Sequence, residues 1–281
     1  MSASDTADHH DDPWSHVPPP SPWPFLLGAI SLTILMFGIL SAMGVLGQTM
    51  IYLMLGGVVT VVTLMGWAHQ VIKEKSISHD LEGQQRDLMF FTKMFLISEL
   101  AAFGAVFGYF FYRLATDPGF VPPPGINLGN PLIGFATILL LTSSVTCEIA
   151  HHAVMHGERL KARITLLSTI ILGLIFLGFM GYEYGEFIQQ GYGFLSMQEE
   201  PYSQFNSFMS LFFAATGFHG IHVLTGLVML ILVYVRLEMR QFTQKRHFSM
   251  MAASLYWHFV DIVWIFLFVT VYVISPAPGS L

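Results

Sequence analysis

The 281 residues are 54% hydrophobic and only 11% charged, with a mean hydropathy of +0.61, which excludes a soluble domain and describes an integral membrane protein. The single cysteine, Cys147, excludes a disulfide framework, a cysteine-held iron–sulfur cluster and a two-cysteine copper site. Part of the formal net charge of −6 comes from Asp5, Asp8, Asp11 and Asp12, and the cationic residues are spread over loops, so no basic nucleic-acid patch exists.

Residues 1–24 read as an acidic tail without Lys or Arg and without an early apolar core, unlike a cleaved signal peptide or an Arg-rich transit peptide. His9, His10, Asp11 and Asp12 fit a disordered acidic segment better than a metal site. Seven apolar runs follow, at about 25–46, 49–72, 88–113, 131–153, 162–187, 205–236 and 250–274, each long enough to span a bilayer. In lipid the backbone must satisfy its own hydrogen bonds, so these are expected to be helices. Ser21-Pro22-Trp23-Pro24 breaks the chain before the first, and the short turn at Gly47 and Gln48 makes spans one and two an antiparallel hairpin. The membrane domain thus runs over 25–274, as a hairpin (25–72) and five further spans (88–274), with a short tail at 275–281.

Lys73, Lys75, Arg86, Arg159, Lys161, Arg163, Arg236, Arg240, Lys245 and Arg246 fall in the loops after spans two, four and six, which places those loops and the N-terminus in the cytoplasm and the C-terminus outside. The longer outer loops are 114–130 and 188–204.

Glu99 is the costliest residue in this arrangement. It lies in the apolar run Met89–Phe111, near the midplane of a hydrocarbon core about 30 Å thick. A carboxylate there costs on the order of 3 kcal/mol, so it should face protein, be hydrogen-bonded or stay protonated. The bland reading is an inert acid tied to a neighbouring helix; the functional one is a protonatable group affecting proton movement or a lipid-filled cleft. Ser98 offers a local hydrogen bond, whereas Lys93, six residues away, lies on another helical face.

In span six, His219 and His222 sit three residues apart on one face, and His258 and Asp261 repeat that spacing in span seven. A hydrogen-bonded network between these two helices satisfies all four most simply, with haem or metal ligation and a proton relay as sharper alternatives. His151 and His152 close span four, three and four residues after Glu148; they read as a solvated helix end, and as neighbours they point to different sides. Tyr182-Glu183-Tyr184-Gly185-Glu186 reads as an interfacial belt at the outer end of span five, its acids reaching water.

These motifs closely resemble subunit III of the haem–copper cytochrome c oxidases. The resemblance is carried by Ser21-Pro22-Trp23-Pro24, Phe95-Leu96-Ile97-Ser98-Glu99, Pro122–Gly125 with Asn130-Pro131, Ala150-His151-His152 and Tyr182-Glu183-Tyr184. Its most specific parts are Ala215-Thr216-Gly217-Phe218-His219-Gly220-Ile221-His222-Val223 and Tyr256-Trp257-His258-Phe259-Val260-Asp261-Ile262-Val263-Trp264.

The resemblance implies an all-α fold of seven transmembrane helices, divided into two-helix and five-helix bundles by a V-shaped cleft that holds phospholipids. It implies no redox centre in this chain, with haem a and copper in partner subunits. The implied role is that of a non-catalytic core subunit of a proton-pumping aa3-type oxidase, which flanks subunit I, assembles with subunit II, supports proton uptake and stabilises the enzyme while cytochrome c supplies electrons. Glu99 matches the family's buried, carbodiimide-reactive glutamate. Trp67, Lys73, Glu74 and Arg236 align with positions associated with lipid, and Lys73 stands where arginine is more usual, losing bidentate phosphate geometry. The chain departs from the family's tryptophans at Ala68, Gly108 and Leu255 and from a family glutamate at Met251.

Other readings are the equivalent subunit of a quinol oxidase, a nitric oxide reductase-associated homologue, or a haem-binding membrane oxidoreductase subunit using the midplane histidines. Spans one and two favour cytochrome c oxidase over the shorter relatives. The sequence favours a bacterial plasma membrane over a mitochondrial inner membrane.

Overall fold

The computed structural model describes residues 22–23, 25–30, 33–34, 55–56, 58–60, 62–63, 65–67, 69–70, 81–123, 126, 128, 131–192, 207–242 and 247–274. The expected acidic tail apart from Pro22 and Trp23, the turn at Gly47 and Gln48, Ala68, Lys73, Glu74, Lys75, Lys245, Arg246 and the tail from 275 onward lie outside the described residues. The chain divides into two compact units, Met1–Gln84 and Gln85–Leu281.

In the first unit two helical stretches meet at glycines. A Cβ on Gly66 would lie 2.6 Å from the Trp23 ring, and one on Gly56 would lie 2.6 Å from Ile34. The Trp23 indole N–H donates to Gln70 Oε1. Small residues therefore permit the close approach, and one polar bond pins it.

Among the described residues, five helices are long and apolar enough to cross a membrane. They are α1 (Leu81–Thr116), α2 (Pro131–Met155), α3 (Arg159–Gln189), α4 (Ser207–Glu238) and α5 (Phe248–Phe268), the last extended by a π-helical turn at Val269–Val273. They correspond to spans three to seven of the sequence. Threonines of these segments, such as Thr137, Thr142 and Thr270, return their hydroxyls to the carbonyl four residues back, which satisfies the one polar atom of each side chain within its own helix.

The turns are closed by the backbone. Beyond α2, Glu158 N–H donates to Ala153 O and Gly157 N–H to Val154 O, with Gly157 at φ +75°; this is a Schellman motif. The same paired bonds recur beyond α3, around Gly191 at φ +90°, and beyond α4. At the third of these the left-handed position belongs to Arg240, at φ +58°, where a Cβ is strained.

Two tryptophans of α5, seven residues apart, hold the five-helix unit together. The Trp257 ring fills the space above two glycines: a Cβ on Gly173 of α3 or on Gly226 of α4 would come within 2.8 Å of it. Its indole N–H donates to Ser143 Oγ of α2 at 3.0 Å. Two turns along, Trp264 donates to Thr137 Oγ1 of α2 at 3.0 Å, meets Phe176 of α3 edge-on at 4.8 Å and stacks on His219 of α4 at 5.0 Å. Each ring thus touches three other helices. In a bilayer helices gain nothing from leaving lipid for one another in hydrophobic terms, so packing of this kind and interhelical hydrogen bonds carry the association. Helix α1 joins differently, through long aromatic side chains: Phe103 against Phe218 and His222, Phe107 against Phe266, and Phe110 against Phe208.

Candidate functional site

Glu99 of α1 meets His222 of α4. The Oε2–Nε2 distance is 3.0 Å, with the glutamate side chain 21% and the histidine 10% exposed. His222 Nδ1 lies 2.8 Å from the Phe218 carbonyl, which can only accept, so Nδ1 carries a proton. In a neutral imidazole Nε2 is then the acceptor and the acid must supply the proton; otherwise the two form an imidazolium–carboxylate pair. Either way one proton is shared across this bond. Phe103 and Phe218 pack edge-on against the imidazole and Tyr256 stacks parallel to it, so the pair lies in an aromatic frame. Ser98 contributes nothing to it: its hydroxyl donates to Phe95 O at 2.6 Å.

The four polar residues of spans six and seven do not bond to one another as expected. His222 reaches α1 instead. His258 and Asp261 reach α2: His258 Nδ1 is 2.8 Å from Ser144 Oγ, His258 Nε2 is 3.2 Å from Glu148 Oε2, and the Ser144 hydroxyl donates to Asp261 Oδ2. His219 is fully buried, and neither ring nitrogen has a hydrogen-bond partner among the described residues; its contact with α5 is the stack on Trp264. The reason is rotational. The close α4–α5 seam is occupied by Trp257 and Trp264, so His222 and His258 turn toward the helices on either side.

Glu148 gathers what the sequence reading had kept apart. Both neighbours of the Ala150-His151-His152 motif approach the same carboxylate, His152 Nε2 at 3.1 Å from Oε1 and His151 Nδ1 at 3.7 Å from Oε2. Although adjacent side chains diverge, the positions three and four residues beyond an acid both flank it. His152 remains solvent-facing, as a helix-end residue should, while His151 is largely covered.

The Tyr182-Glu183-Tyr184 segment also differs from expectation. Tyr182 and Glu186 are exposed, but Glu183 is 4% exposed and accepts a hydrogen bond from Tyr272 of the π-helical turn at 2.8 Å. Tyr184 shares a 2.6 Å hydrogen bond with Thr216 of α4. The acid that belongs to the core is therefore Glu183, which lies about 100° around the helix from exposed Tyr182.

Of the positions associated with lipid, Trp67 is half-buried within the first unit. Arg236 is exposed at the end of α4, donating to Ser249 Oγ at 2.7 Å and Gln241 Oε1 at 3.2 Å, its guanidinium 5.2 Å from the Phe242 ring centre. Among the described residues no group of three or more His, Cys, Asp or Glu is arranged to hold a metal ion.

Outside the spans, Asp117 follows α1. Its carboxylate pairs with Arg113 and accepts Gly119 N–H at 2.9 Å, and these bonds hold its pKa below the ordinary aspartate value, Arg113 contributing most. Arg113 also donates to Ser207 Oγ at 3.0 Å, tying the end of α1 to the start of α4.

Residues 13–276 match the family profile described as cytochrome c oxidase subunit III. The chain is 34% identical to cytochrome c oxidase subunit 3 of Triticum aestivum over 267 residues, 37% to that of Marchantia polymorpha over 270 and 37% to that of Homo sapiens over 265. Each comparison covers 92% of this chain and 95% of the relative. The likeness therefore extends through both units and every helix that frames Glu99 and Trp257, and the chain belongs to the cytochrome c oxidase subunit III family.

Proposed function

We propose that this chain is a non-redox accessory subunit of a proton-pumping aa3-type cytochrome c oxidase, with seven transmembrane helices in two-helix and five-helix bundles separated by a lipid-holding cleft. The observation that carries this reading is the end-to-end family match, which spans both units. Haem a and copper belong to partner subunits, subunit I lies directly against this chain, subunit II completes the core, and cytochrome c is the electron donor. The basic helix ends around Arg159, Lys161, Arg163 and Arg236 support a cytoplasmic placement of that side and of the N-terminus in a bacterial plasma membrane.

Within this role Glu99 is the protonatable group. Its shared proton with His222 gives it a means of exchanging protons without leaving an isolated charge in lipid, which supports a part in proton uptake by the complex. Trp67, Lys73, Glu74 and Arg236 are the lipid-contacting set, the cations supplying headgroup pairing at the membrane edge.

The test is to purify the tagged complex, record haem content and cytochrome c oxidation, and then separate this chain and record its haem. Haem a, copper and oxidase activity in the complex with no haem on the separated chain supports the proposal. Stoichiometric haem on the separated chain rejects it and makes His219, His222 and His258 the ligands to examine. Loss of phospholipid and a shortened active lifetime in Arg236→Ala would support the lipid assignment; unchanged lipid and lifetime would remove it.

A further inference from the structure

The bonds around His258 form a continuous series. It begins at Glu148, whose Oε1 lies 3.1 Å from Nε2 of solvent-facing His152 as an ion-pair contact, leaves from Glu148 Oε2 to His258 Nε2 at 3.2 Å, crosses the imidazole to Ser144 Oγ at 2.8 Å from Nδ1, and ends on Asp261 Oδ2. Its outer end opens on a recess lined by Ser144, Val145, Glu148, Ile149, His152 and His258. Its inner end is 3% exposed, and Asp261 Oδ1 is buried without a hydrogen-bond partner among the described residues. The series is separate from the Glu99–His222 pair, which joins other helices.

We propose that His258 and Ser144 link Glu148 and Asp261 into a two-state proton relay, in which one proton resides either on the surface carboxyl or on the buried one. The donor and acceptor inventory permits two end states with a neutral imidazole, joined through a form in which His258 is an imidazolium between two carboxylates. In the first, Asp261 is ionised: the Ser144 hydroxyl donates to it, His258 Nδ1–H donates to Ser144, and the Glu148 carboxylic acid donates to Nε2. In the second every proton has moved one place. Glu148 has given its proton to Nε2, Nδ1 has given its proton to Ser144, and Ser144 has given its original proton to Asp261, which now donates to the serine. One O–H bond is lost on Glu148 and one is gained on Asp261, the imidazole exchanges its Nδ1–H for an Nε2–H, the serine exchanges one proton for another, and the net charge is unchanged. The second state relieves the buried carboxylate whose Oδ1 has no partner, while the charge appears where water and histidines surround it.

The groups facing the relay are specific. On α2, His151 and His152 flank Glu148; from α3, Lys161 lines the recess and is itself paired with Glu158 at 3.1 Å; from α5, Ser254 reaches Glu148 at a long 3.5 Å. Cys147, next to Glu148 in sequence, is buried. One turn along α5 from Asp261, Trp264 carries the stack on His219 of α4. Lys161 and the two imidazoles lie on the side of the relay where they favour the state with Glu148 ionised.

The test is infrared difference spectroscopy on the purified complex, following the carboxylic C=O band removed by Asp261→Asn. In the wild-type complex this band shifts promptly on transfer to D2O. Ser144→Ala, which deletes the one atom joining His258 to Asp261, slows the shift on the order of 100-fold, and Ser144→Thr, which keeps the hydroxyl, restores it. Glu148→Gln weakens the band, because the proton donor at the surface end is gone. If Asp261→Asn removes no band, or if the band shifts in Ser144→Ala as fast as in wild type, the relay is rejected. The serine-to-threonine rescue separates loss of the relay from a general loosening of α2.

Discussion

Glu99 and His222 hold one proton between them across a 3.0 Å bond whose far side is fixed by the Phe218 carbonyl. The carbonyl fixes a proton on Nδ1, so a neutral imidazole accepts at Nε2 from the carboxylic acid, and an imidazolium holds the same proton on Nε2. A carboxylic acid in an apolar span is the form that a hydrophobic carbodiimide modifies. We expect the carbodiimide to label this chain at Glu99 in the intact complex and Glu99→Gln to abolish the labelling, as read by mass spectrometry of the isolated subunit. Labelling that survives in Glu99→Gln places the reactive acid elsewhere. His222→Phe fits among Phe103, Phe218 and Tyr256 by shape but leaves the acid unpaired. It should lower the stability of the subunit by about 1–3 kcal/mol, toward the lower end because Glu99 is partly exposed.

Gly226 and Gly173 are the seats of Trp257. A methyl group at either position would stand 2.8 Å from a ring that is wholly buried and tethered to Ser143. The ring cannot retreat without breaking that hydrogen bond or displacing α2. Gly226→Ala is therefore expected to destabilise the five-helix unit by about 1–3 kcal/mol, measured as a lower temperature for release of this subunit from the complex. Gly220, half-buried but with open space where its Cβ would go, serves as the control and should tolerate alanine.

The spans were readable in the sequence because uninterrupted apolar runs in lipid admit little besides helices, and five of them appear with closely similar limits. What the sequence could not supply was the rotation of each helix about its axis. A helix that is apolar nearly all round carries no stripe to say which side faces protein. The consequence falls on the polar residues. Glu183 turns inward to Tyr272 rather than outward to water, and His258 turns to Ser144 and Glu148 rather than to α4. One signal was present and unused: Ser144 and Glu148 are four apart on α2, and His258 and Asp261 are three apart on α5, so two polar faces of matching length were available to pair.

Tyr272 satisfies Glu183 from a π-helical turn, a geometry that places its hydroxyl 2.8 Å from a carboxyl otherwise enclosed by the core. Tyr272→Phe keeps the ring contacts with Phe212 and Phe268 and removes only the donor. Loss of a partner to a buried acid should cost about 1–3 kcal/mol. The double variant with Glu183→Gln should lose less than the sum of the two single changes. Strict additivity in this cycle, read from thermal release of the subunit, would mean that the bond contributes nothing to stability.

Arg240 occupies the left-handed position that glycine fills at the equivalent ends of α2 and α3. Its Cβ makes that conformation unfavourable by about 1–2 kcal/mol. Arg240→Gly should recover roughly 1 kcal/mol of this, less whatever the unfolded chain gains in freedom. A small rise in the midpoint of thermal unfolding is the expected result. A fall would show that the Arg240 side chain contributes more to this turn than its backbone costs.

Asp117 supplies the acid-side pH dependence of the turn between α1 and α2. Its pKa in the folded protein lies below the ordinary value of 3.8, because the Arg113 guanidinium and Gly119 N–H both favour the carboxylate. A group with a lowered folded pKa binds protons more weakly when folded than when unfolded. Its contribution is therefore present in full above pH 3.8 and is lost as the pH falls through the folded value. The partly exposed position makes the effect small and sensitive to salt. In the wild-type complex, the anchoring of α1 to α4 through Arg113 and Ser207 should weaken progressively below that pH, detectable as proteolysis in the 117–123 segment. Asp117→Asn cannot titrate, so its proteolysis should be the same on both sides of that window. If the variant and the wild type show the same dependence on pH, some other group governs the turn.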